Sequence, residues 1–167
     1  NNATQGGVIF LNNGTANFNG SNFTGNNASF GGVIFLNNGT VNFNDSKGFF
    51  EFWNGAKIYL CHCQHEKDMY KYQGAEIHVL LMDELTLFTE TIYRFLRGRV
   101  RLGGMKVPDK YKGKLPMSLC GSNPGNIGHA WVKKTFVDFA PPMEITRTPD
   151  EEGGMLRQYI PAKLADN

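Results

Sequence analysis

Two nearly identical stretches, 25 residues apart, constrain the fold of the first part of the chain. "GGVIFLNNGTANFN" begins at Gly6 and "GGVIFLNNGTVNFN" begins at Gly31. Each copy has a short β-prone run, an Asn-Asn-Gly turn signal and a second short run around Phe18 or Phe43. Short β runs separated by Asn-Gly turns at a fixed period predict stacked coils of a parallel β-solenoid.

Stacking of the two copies would place Asn12 and Asn13 over Asn37 and Asn38, where the side-chain amides could form ladders. Two copies are too few for a self-sufficient solenoid, so the sequence is compatible with a small β element or with disorder. "FTGNNASFGGVI" (residues 23–34) resembles the Phe-x-x-Asn-x-Ala-x-x-Gly-Gly-x-Ile pattern of polymorphic outer-membrane and autotransporter passenger repeats. That resemblance implies one candidate function, a surface or adhesion module with the rest of the chain as its passenger.

The composition changes abruptly between Ser46 and Lys47. Residues 1–46 contain 13 Asn, 8 Gly, one acidic residue and no Lys or Arg, whereas residues 47–167 hold all 17 basic and the other 14 acidic residues. Such a break predicts two segments, an Asn/Gly-rich β-repeat segment over 1–46 and a separate domain over 47–167. The net charge of +2 is too small to indicate a nucleic-acid partner by itself.

The chain shows no targeting or membrane signal. Its longest apolar runs are far too short to span a bilayer, and no charged region followed by an apolar region opens it. The three cysteines, Cys61, Cys63 and Cys120, do not form the even set that a disulfide framework needs. We therefore expect a reducing compartment, no membrane association and no signal peptide.

Residues 47–167 predict an α/β domain. Two β-prone runs flank Asn54-Gly55, which is the strongest short hairpin signal. "AEIHVLLMDE" (residues 75–84) predicts a strand buried on both faces, as in the centre of a parallel sheet. Thr89 is a predicted N-cap that opens a helix through Leu102.

The next elements continue the α/β alternation. "LPMSLC" (residues 115–120) predicts another buried strand, and a helix follows from His129, with Trp131 and Phe136 expected to anchor it to the sheet. "MEITRT" and "LRQYIPA" predict two further strands. We therefore predict an incomplete α/β core with a mainly parallel sheet, preceded by a short β-solenoid-like repeat segment.

Polar side chains follow two of the predicted strands at the point where each strand ends. Asp83-Glu84 ends the first, and Gly121-Ser122-Asn123-Pro124-Gly125 follows the second. Ligands of such sheets bind beyond the carboxyl ends of the strands, so the two clusters are expected to converge on one edge. Asp83 could hold Mg²⁺ and Glu84 could polarise a water, while the loop could sense a phosphate. The alternatives are a strand that ends in solvent and an ordinary tight turn.

These clusters and their context resemble the ATPase domain of the large terminase subunit of tailed bacteriophages, over about residues 48–167. The resemblance is carried by "FWNGAKIYLCHCQHEKDMYKYQGAEIHVLLMDELTLFTE", "YRFLRGRVRL", "CGSNPGNIGHAWVKKTFVD" and "EEGGMLRQYIPAKLADN". It implies a P-loop-type core that hydrolyses ATP to move DNA into a procapsid. Asp83 would be the Walker B residue that holds Mg²⁺, Glu84 the catalytic carboxylate, and Ser122 and Asn123 part of the coupling motif near the γ-phosphate.

The same resemblance implies ATP and Mg²⁺ as cofactors. It also implies double-stranded DNA, the portal protein and the small terminase subunit as partners, a ring oligomer, and a location in the host cytoplasm and transiently at the procapsid portal. The sequence departs from the family pattern because no G-x-x-x-x-G-K-[ST] motif occurs in it and the repeat stands where that half of the site belongs. The family's nuclease domain is also absent from the sequence. We therefore expect the chain alone to be inactive; a related helicase-like ATPase fragment is a further alternative.

Two other groups of residues have competing interpretations. "CHCQH" (residues 61–65) could indicate zinc, but alternation along a strand would send its side chains to opposite faces, which favours buried strand thiols. Arg94, Arg97, Arg99 and Arg101 could supply an arginine finger or contact DNA phosphates, and a solvated basic helix face is equally compatible with them.

Overall fold

The computed structural model describes residues 9–11, 14–18, 34–36 and 39–162, and the chain divides into two compact units, Asn1–His62 and Cys63–Asn167. The composition break between residues 46 and 47 lies inside the first unit. The reason is a sheet that continues across the break, because the strand before it pairs with the strand after it.

The described strands of the first unit are β1 (Ile9–Leu11), β2 (Gly14–Phe18), β3 (Ile34–Leu36), β4 (Gly39–Asn44), β5 (Phe49–Phe52) and β6 (Lys57–Tyr59). The repeat copies pair in parallel, β1 with β3 and β2 with β4. Ile9 pairs with Ile34 and Gly14 with Gly39, so each partner lies one repeat period further along the chain. Stacked coils require this register. The predicted Asn ladder falls on residues outside those described.

β4, β5 and β6 extend the sheet by antiparallel pairing in the order β2-β4-β5-β6. The predicted hairpin at Asn54-Gly55 is confirmed, since β5 and β6 pair across it and Gly55 has a φ of 80° that suits glycine. Val41, Phe43, Phe49 and Phe50 are buried, and the rings of Phe43 and Phe50 lie 4.6 Å apart between centroids. Apolar side chains of β4 and β5 therefore form the described core of this unit.

The second unit contains β7 (Val79–Met82), α1 (Glu90–Arg97), β8 (Met117–Cys120), α2 (His129–Val132), β9 (Thr146–Arg147) and β10 (Leu156–Arg157). Short 3₁₀ turns cover Glu66–Tyr72, Leu85–Leu87, Asp109–Tyr111 and Asp150–Glu152, and α2 continues as a π turn over Lys133–Val137. β7 pairs in parallel with β8, and β9 with β10 in antiparallel. Within the described residues these strands form two separate sheets; one continuous, mainly parallel sheet is not seen there.

The predictions that β7 is buried on both faces and that β8 is a buried strand are wrong. Leu80 and Met82 are buried, whereas Val79 and Leu81 are 44% and 63% exposed, and Met117 and Leu119 of β8 are also exposed. An apolar run is equally compatible with one covered face and with two, because burial is decided by what packs on the strand. Among the described residues, the covered face packs on one cluster: Cys63, Met69, Leu80, Met82, Leu85, Ile92, Tyr93 and Leu96.

α1 begins at the predicted N-cap but ends earlier than predicted. The Thr89 hydroxyl accepts a hydrogen bond from the Ile92 amide, which satisfies one free donor of the first turn. The helix ends at Arg97 because Gly98 follows it, and glycine is a poor helix former. Val100 then forms a parallel bridge with Ile77, which precedes β7. Part of the stretch predicted as helix up to Leu102 therefore pairs with the strand region instead.

Trp131 of α2 and Phe136 of the π turn make anchoring aromatic contacts, but their rings meet α1, whereas the sequence predicts anchoring to the sheet. The Trp131 ring stacks on Tyr93 of α1 at 5.2 Å between centroids, and Phe136 meets the same ring edge-on at 5.8 Å. Both also pack against the cluster beneath β7. None of the helices in the described part of the chain is long and apolar enough to cross a membrane.

Candidate functional site

The carboxyl ends of β7 and β8 leave the sheet side by side. Met82 and Cys120 are the last pair of the parallel ladder, so Asp83 and Gly121 follow at the same edge. The Gly121 amide donates to the Met82 carbonyl and the Leu85 amide donates to the Gly121 carbonyl, each at 2.9 Å. The predicted convergence of the two polar clusters is therefore confirmed. We call residues 83–88 the acidic turn and residues 121–128 the polar loop.

Asp83 presents an exposed carboxylate at this edge. Its Oδ1 accepts a hydrogen bond from the Glu84 amide at 3.0 Å. A side chain at Gly121 would come within 3.3 Å of the same oxygen, so the glycine leaves space beside the carboxylate. Carboxylate oxygens with room for water are ligands that Mg²⁺ prefers.

Glu84 stands in a strained conformation. Its φ of 49° and ψ of 54° lie in the left-handed region, which side chains other than Gly and Asn disfavour by about 1 kcal/mol. Its Oε1 accepts a hydrogen bond from Asn123 Nδ2 at 3.0 Å. Within the described residues Oε2 accepts no hydrogen bond, so one carboxylate oxygen is held by Asn123 and the other has no described protein partner.

Ser122 and Asn123 lie against the acidic turn, but only one side chain reaches a predicted catalytic group. The Asn123 amide bonds Glu84, whereas the Ser122 hydroxyl accepts from the Thr86 amide at 3.2 Å. The Ser122 hydroxyl also donates to the Asn123 carbonyl at 3.4 Å, a long and weak bond. Ser122 therefore contacts backbone groups of the turn and the loop, and Asn123 links the loop to the carboxylate.

Sequence reasoning missed Thr86 and Gly128, which hold the turn and the loop together. Thr86 is a buried polar residue whose hydroxyl donates to the Asn123 carbonyl at 2.9 Å. The Gly128 amide donates to the Thr86 carbonyl at 2.8 Å, and a Cβ at Gly128 would lie only 2.6 Å from the Phe88 carbonyl oxygen. The one available signal was a Thr inside the apolar run "LTLF" (residues 85–88).

The far end of the polar loop is fixed at the start of α2. His129 Nδ1 accepts a hydrogen bond from the Gly125 amide at 3.1 Å, which requires a lone pair on that nitrogen. Trp131 Nε1 donates to the Phe88 carbonyl at 2.9 Å. Both ends of the loop are thus attached to neighbouring structure.

None of the four arginines singled out from the sequence has a described contact with the acidic turn or the polar loop. Arg94 pairs with Glu90 at 2.7 Å and Arg101 with Glu76 at 3.6 Å. The Arg99 guanidinium lies over the Phe95 ring, and its buried Nε has no hydrogen-bond partner among the described residues. Arg97, the last residue of α1, lines a cleft with Tyr93 and Arg157.

Cys61 and Cys63 do not lie on a strand, contrary to the prediction for them. β6 ends at Tyr59, so Cys61 and Cys63 lie in the segment after it, with Cys61 exposed and Cys63 buried. Burial raises the pKa of the Cys63 thiol and raises that of Cys120 to about 11, which keeps both protonated at neutral pH. No group of three or more His, Cys, Asp and Glu side chains in the described ranges is arranged to hold a metal ion.

Compared with protein-family models, with curated proteins and with solved structures, the chain matches none of them. The chemistry of the site is therefore argued from its own residues. Mg²⁺ is commonly bound through one or two carboxylates, with waters and phosphate oxygens completing its shell. Asp83 fits that mode of binding, and Glu84 fits the role of a base that orients water.

Proposed function

We propose that the second unit carries the metal-holding and water-orienting part of an ATP-hydrolysing site, of the kind found in the large terminase subunit of DNA-packaging motors. The observation that carries the proposal is the 3.0 Å hydrogen bond from Asn123 to Glu84, across the adjacent ends of two parallel strands. It joins the two sequence clusters on which the resemblance rests. An incomplete P-loop-type core remains the proposed fold class for this unit.

Each residue has a distinct role in the proposal. Asp83 would hold Mg²⁺, which would supply positive charge to offset the negative charge of the phosphate groups. Glu84 orients the attacking water with its free Oε2 and takes up a proton from it. Asn123 fixes the direction of the Glu84 carboxylate, and with Ser122 it stands in the loop that would meet the γ-phosphate.

Manganese tests the metal site because it substitutes for Mg²⁺ and broadens NMR signals near it. We expect Mn²⁺ to broaden the amide signals of residues 83–85 and 121–123, and excess Mg²⁺ to restore them. Asp83→Asn should abolish the effect, and Glu84→Gln should preserve it because Glu84 is assigned to water. Asp109→Asn, which changes an exposed carboxylate in another turn, is the matched control.

Broadening that persists in the Asp83→Asn variant, or that centres on other carboxylates, would overturn the assignment of Asp83. ATP turnover by the chain alone is expected to be weak or absent, because no G-x-x-x-x-G-K-[ST] sequence is present to cradle the β- and γ-phosphates. Turnover at an ordinary rate that is lost in Glu84→Gln would contradict that expectation while supporting the role of Glu84.

Double-stranded DNA is the proposed partner, and the charge distribution supports it. Residues 97–114, here called the basic segment, contain seven basic residues and one acid, Asp109. The whole chain has 17 basic and 15 acidic residues. The residues outside the basic segment therefore include 10 basic and 14 acidic ones and are net negative. Lys106, Lys110 and Lys114 are exposed, and no acidic side chain in the described part of the chain pairs with them. Concentrated positive charge favours phosphate backbones.

The salt dependence of binding to duplex DNA tests this partner. Replacing Lys106, Lys110 and Lys114 with Gln should reduce the slope of log affinity against log salt by about 0.9 for each lysine that contacts a phosphate. Replacing Lys47, Lys67 and Lys134, three other exposed lysines, changes the net charge equally and should leave the slope nearly unchanged. Equal effects of the two triple variants would exclude the basic segment as the contact surface.

The remaining elements of the proposal follow from the resemblance alone. They are a portal protein and a small terminase subunit as partners, assembly into a ring, and a location in the host cytoplasm and at the procapsid portal. Neighbouring genes for portal and capsid proteins would support them.

A surface or adhesion module is the second candidate function. The parallel pairing of equivalent repeat residues, such as Ile9 with Ile34, favours it because stacked coils are the architecture of such modules. Genes for secretion machinery beside the source locus would favour this candidate over the first.

A further inference from the structure

Thr86 joins the acidic turn to the polar loop through three groups at once. Its amide donates to Ser122 Oγ at 3.2 Å, its hydroxyl donates to the Asn123 carbonyl at 2.9 Å, and its carbonyl accepts from the Gly128 amide at 2.8 Å. The residue is only 2% exposed. Buried hydrogen bonds of this kind are costly to leave unmade, so they fix the relative position of the two segments.

Thr86 also belongs to the same hydrogen-bonded turn as Glu84. The Leu87 amide donates to the Glu84 carbonyl at 2.8 Å, and the Phe88 amide donates to the Leu85 carbonyl at 3.1 Å. The main chain of Asn123 is therefore anchored to the residue two positions after Glu84, while its side chain reaches the Glu84 carboxylate. A shift of the loop relative to Thr86 would move the Asn123 amide away from Glu84.

We propose that Thr86 is a positioning residue of this site: its hydroxyl holds Asn123 where the side-chain amide bonds Glu84 and orients the carboxylate. The catalytic significance of this positioning role rests on the proposed function. The hydrogen-bond coupling itself exists without metal or nucleotide, so it is measured on the protein alone. Thr86 touches no reacting group in this scheme and acts only through Asn123.

The side-chain amide of Asn123 provides the readout, because its NMR resonances depend on the acceptor it meets. In the otherwise unchanged protein, Glu84→Ala removes that acceptor and should shift both Nδ2 proton signals. In the Thr86→Val background, where the hydroxyl is replaced by a methyl group of similar size, the shift caused by Glu84→Ala should fall at least about threefold. Thr86→Ser keeps a hydroxyl and should retain most of the shift.

Thr148→Val is the matched control. Thr148 is the other polar residue among the described ones that is similarly buried, and its hydroxyl accepts from the Met155 amide near the β9–β10 pair. The same change there perturbs packing without touching the polar loop. The Asn123 response to Glu84→Ala should therefore be preserved in that background. A purely structural role of Thr86 predicts the same preserved response in the Thr86→Val background, and that result would overturn the proposal.

Ser122→Ala provides a second route if Thr86→Val does not fold. It removes the acceptor of the Thr86 amide and the weak donor to the Asn123 carbonyl, and it lies on the exposed loop, so a smaller loss of the Asn123 response is expected. An undiminished response in Ser122→Ala would then overturn the proposal. If the Mn²⁺ experiment fails while the Asn123 response to Glu84→Ala still depends on Thr86, the metal site is rejected and the positioning role of Thr86 is retained.

Discussion

The two units contain parallel strand pairs that are held in register in different ways. In the first unit, β1–β3 and β2–β4 join equivalent residues of two copies of one sequence. In the second, β7 and β8 have unlike sequences, and α1 and the basic segment lie between them in the chain. Repetition alone defines the register of the first pairs, whereas the β7–β8 pair needs contacts formed far along the chain.

The described contacts of the two regions differ accordingly. The sheet of the first unit buries Val41, Phe43, Phe49 and Phe50, all of them apolar. At the ends of β7 and β8, the acidic turn and the polar loop are joined by hydrogen bonds of backbone, hydroxyl and amide groups. In the first unit the described side-chain contacts beyond the backbone ladder are apolar, whereas directional side-chain hydrogen bonds are added where two strand ends present polar groups to each other.

Removing a core ring should have the largest effect and tests the apolar side of this contrast. Phe50 is 1% exposed, and Phe50→Ala should lower the free energy of local opening of β4 and β5 by about 3–5 kcal/mol. Hydrogen exchange of the backbone amides of β4 and β5 measures it. Trp53→Ala, at a position 58% exposed in the same unit, should change this free energy by less than about 0.5 kcal/mol.

A methyl group at Gly128 tests the close approach of turn and loop. Its Cβ would lie 2.6 Å from the Phe88 carbonyl oxygen and 2.8 Å from that of Thr86, so we expect Gly128→Ala to lower the free energy of unfolding by about 2–3 kcal/mol. Urea unfolding followed by fluorescence in the Trp53→Ala background, where Trp131 is the sole tryptophan, measures the change.

Gly104→Ala is the control for that experiment, because nothing lies within 4 Å of the Cβ it would add. We expect a change of less than about 0.5 kcal/mol there. If Gly128→Ala were as mild as Gly104→Ala, the contacts between the acidic turn and the polar loop would not be the tight ones described.

Loss of the α1 cap should have a smaller effect, since it removes one local capping bond and one exposed side-chain bond. Thr89→Ala removes the acceptor of the Ile92 amide and the donor to Glu66 Oε1, and should lower the free energy of unfolding by about 1 kcal/mol. Thr91→Ala, two residues on at an exposed helical position, should be neutral or slightly stabilising. Equal losses in the two variants, measured by urea unfolding, would contradict the capping role.

The smallest effect is expected at Asp68 and depends on pH. The backbone amide of His65 and the ammonium of Lys71 lower the pKa of the Asp68 carboxyl from 3.8 to about 2. A lowered pKa in the folded state stabilises the protein above the unfolded pKa, and this stabilisation is lost as the pH falls towards 2. Asp68→Asn should therefore reduce the thermal midpoint slightly at pH 7, with the difference vanishing near pH 2. A constant difference across this range would contradict the linkage.

Local signals in the sequence predicted several features correctly. Asn54-Gly55 forms the hairpin turn, Thr89 caps α1, and Asp83 and Ser122 follow strands that end at one edge. Each of these depends on residue type within a few positions or on the general geometry of parallel strands. The turn and the cap are encoded in a short stretch of sequence, and the shared edge follows from the general geometry of parallel strands.

Other features depend on which segments meet, and these the sequence did not reveal. The exposure of Leu81 reflects the absence of a covering layer on that face among the described residues, and an apolar run does not encode that. The pairing of β4 with β5 crosses the composition break, because backbone pairing is indifferent to composition. Thr86 was missed because its partners lie 36 and 37 positions further along the chain.

The left-handed backbone at Glu84 has a consequence for laboratory evolution. Glu84→Gly or Glu84→Asn would relieve a conformational cost of about 1 kcal/mol and should stabilise the fold, provided that the Asn123 bond contributes less than this. Selection for heat resistance alone would then enrich these replacements, whereas the proposed role of Glu84 in ATP hydrolysis predicts that selection for that activity would reject them. At position 84, selection for thermal stability and selection for the proposed hydrolysis are thus expected to favour different residues.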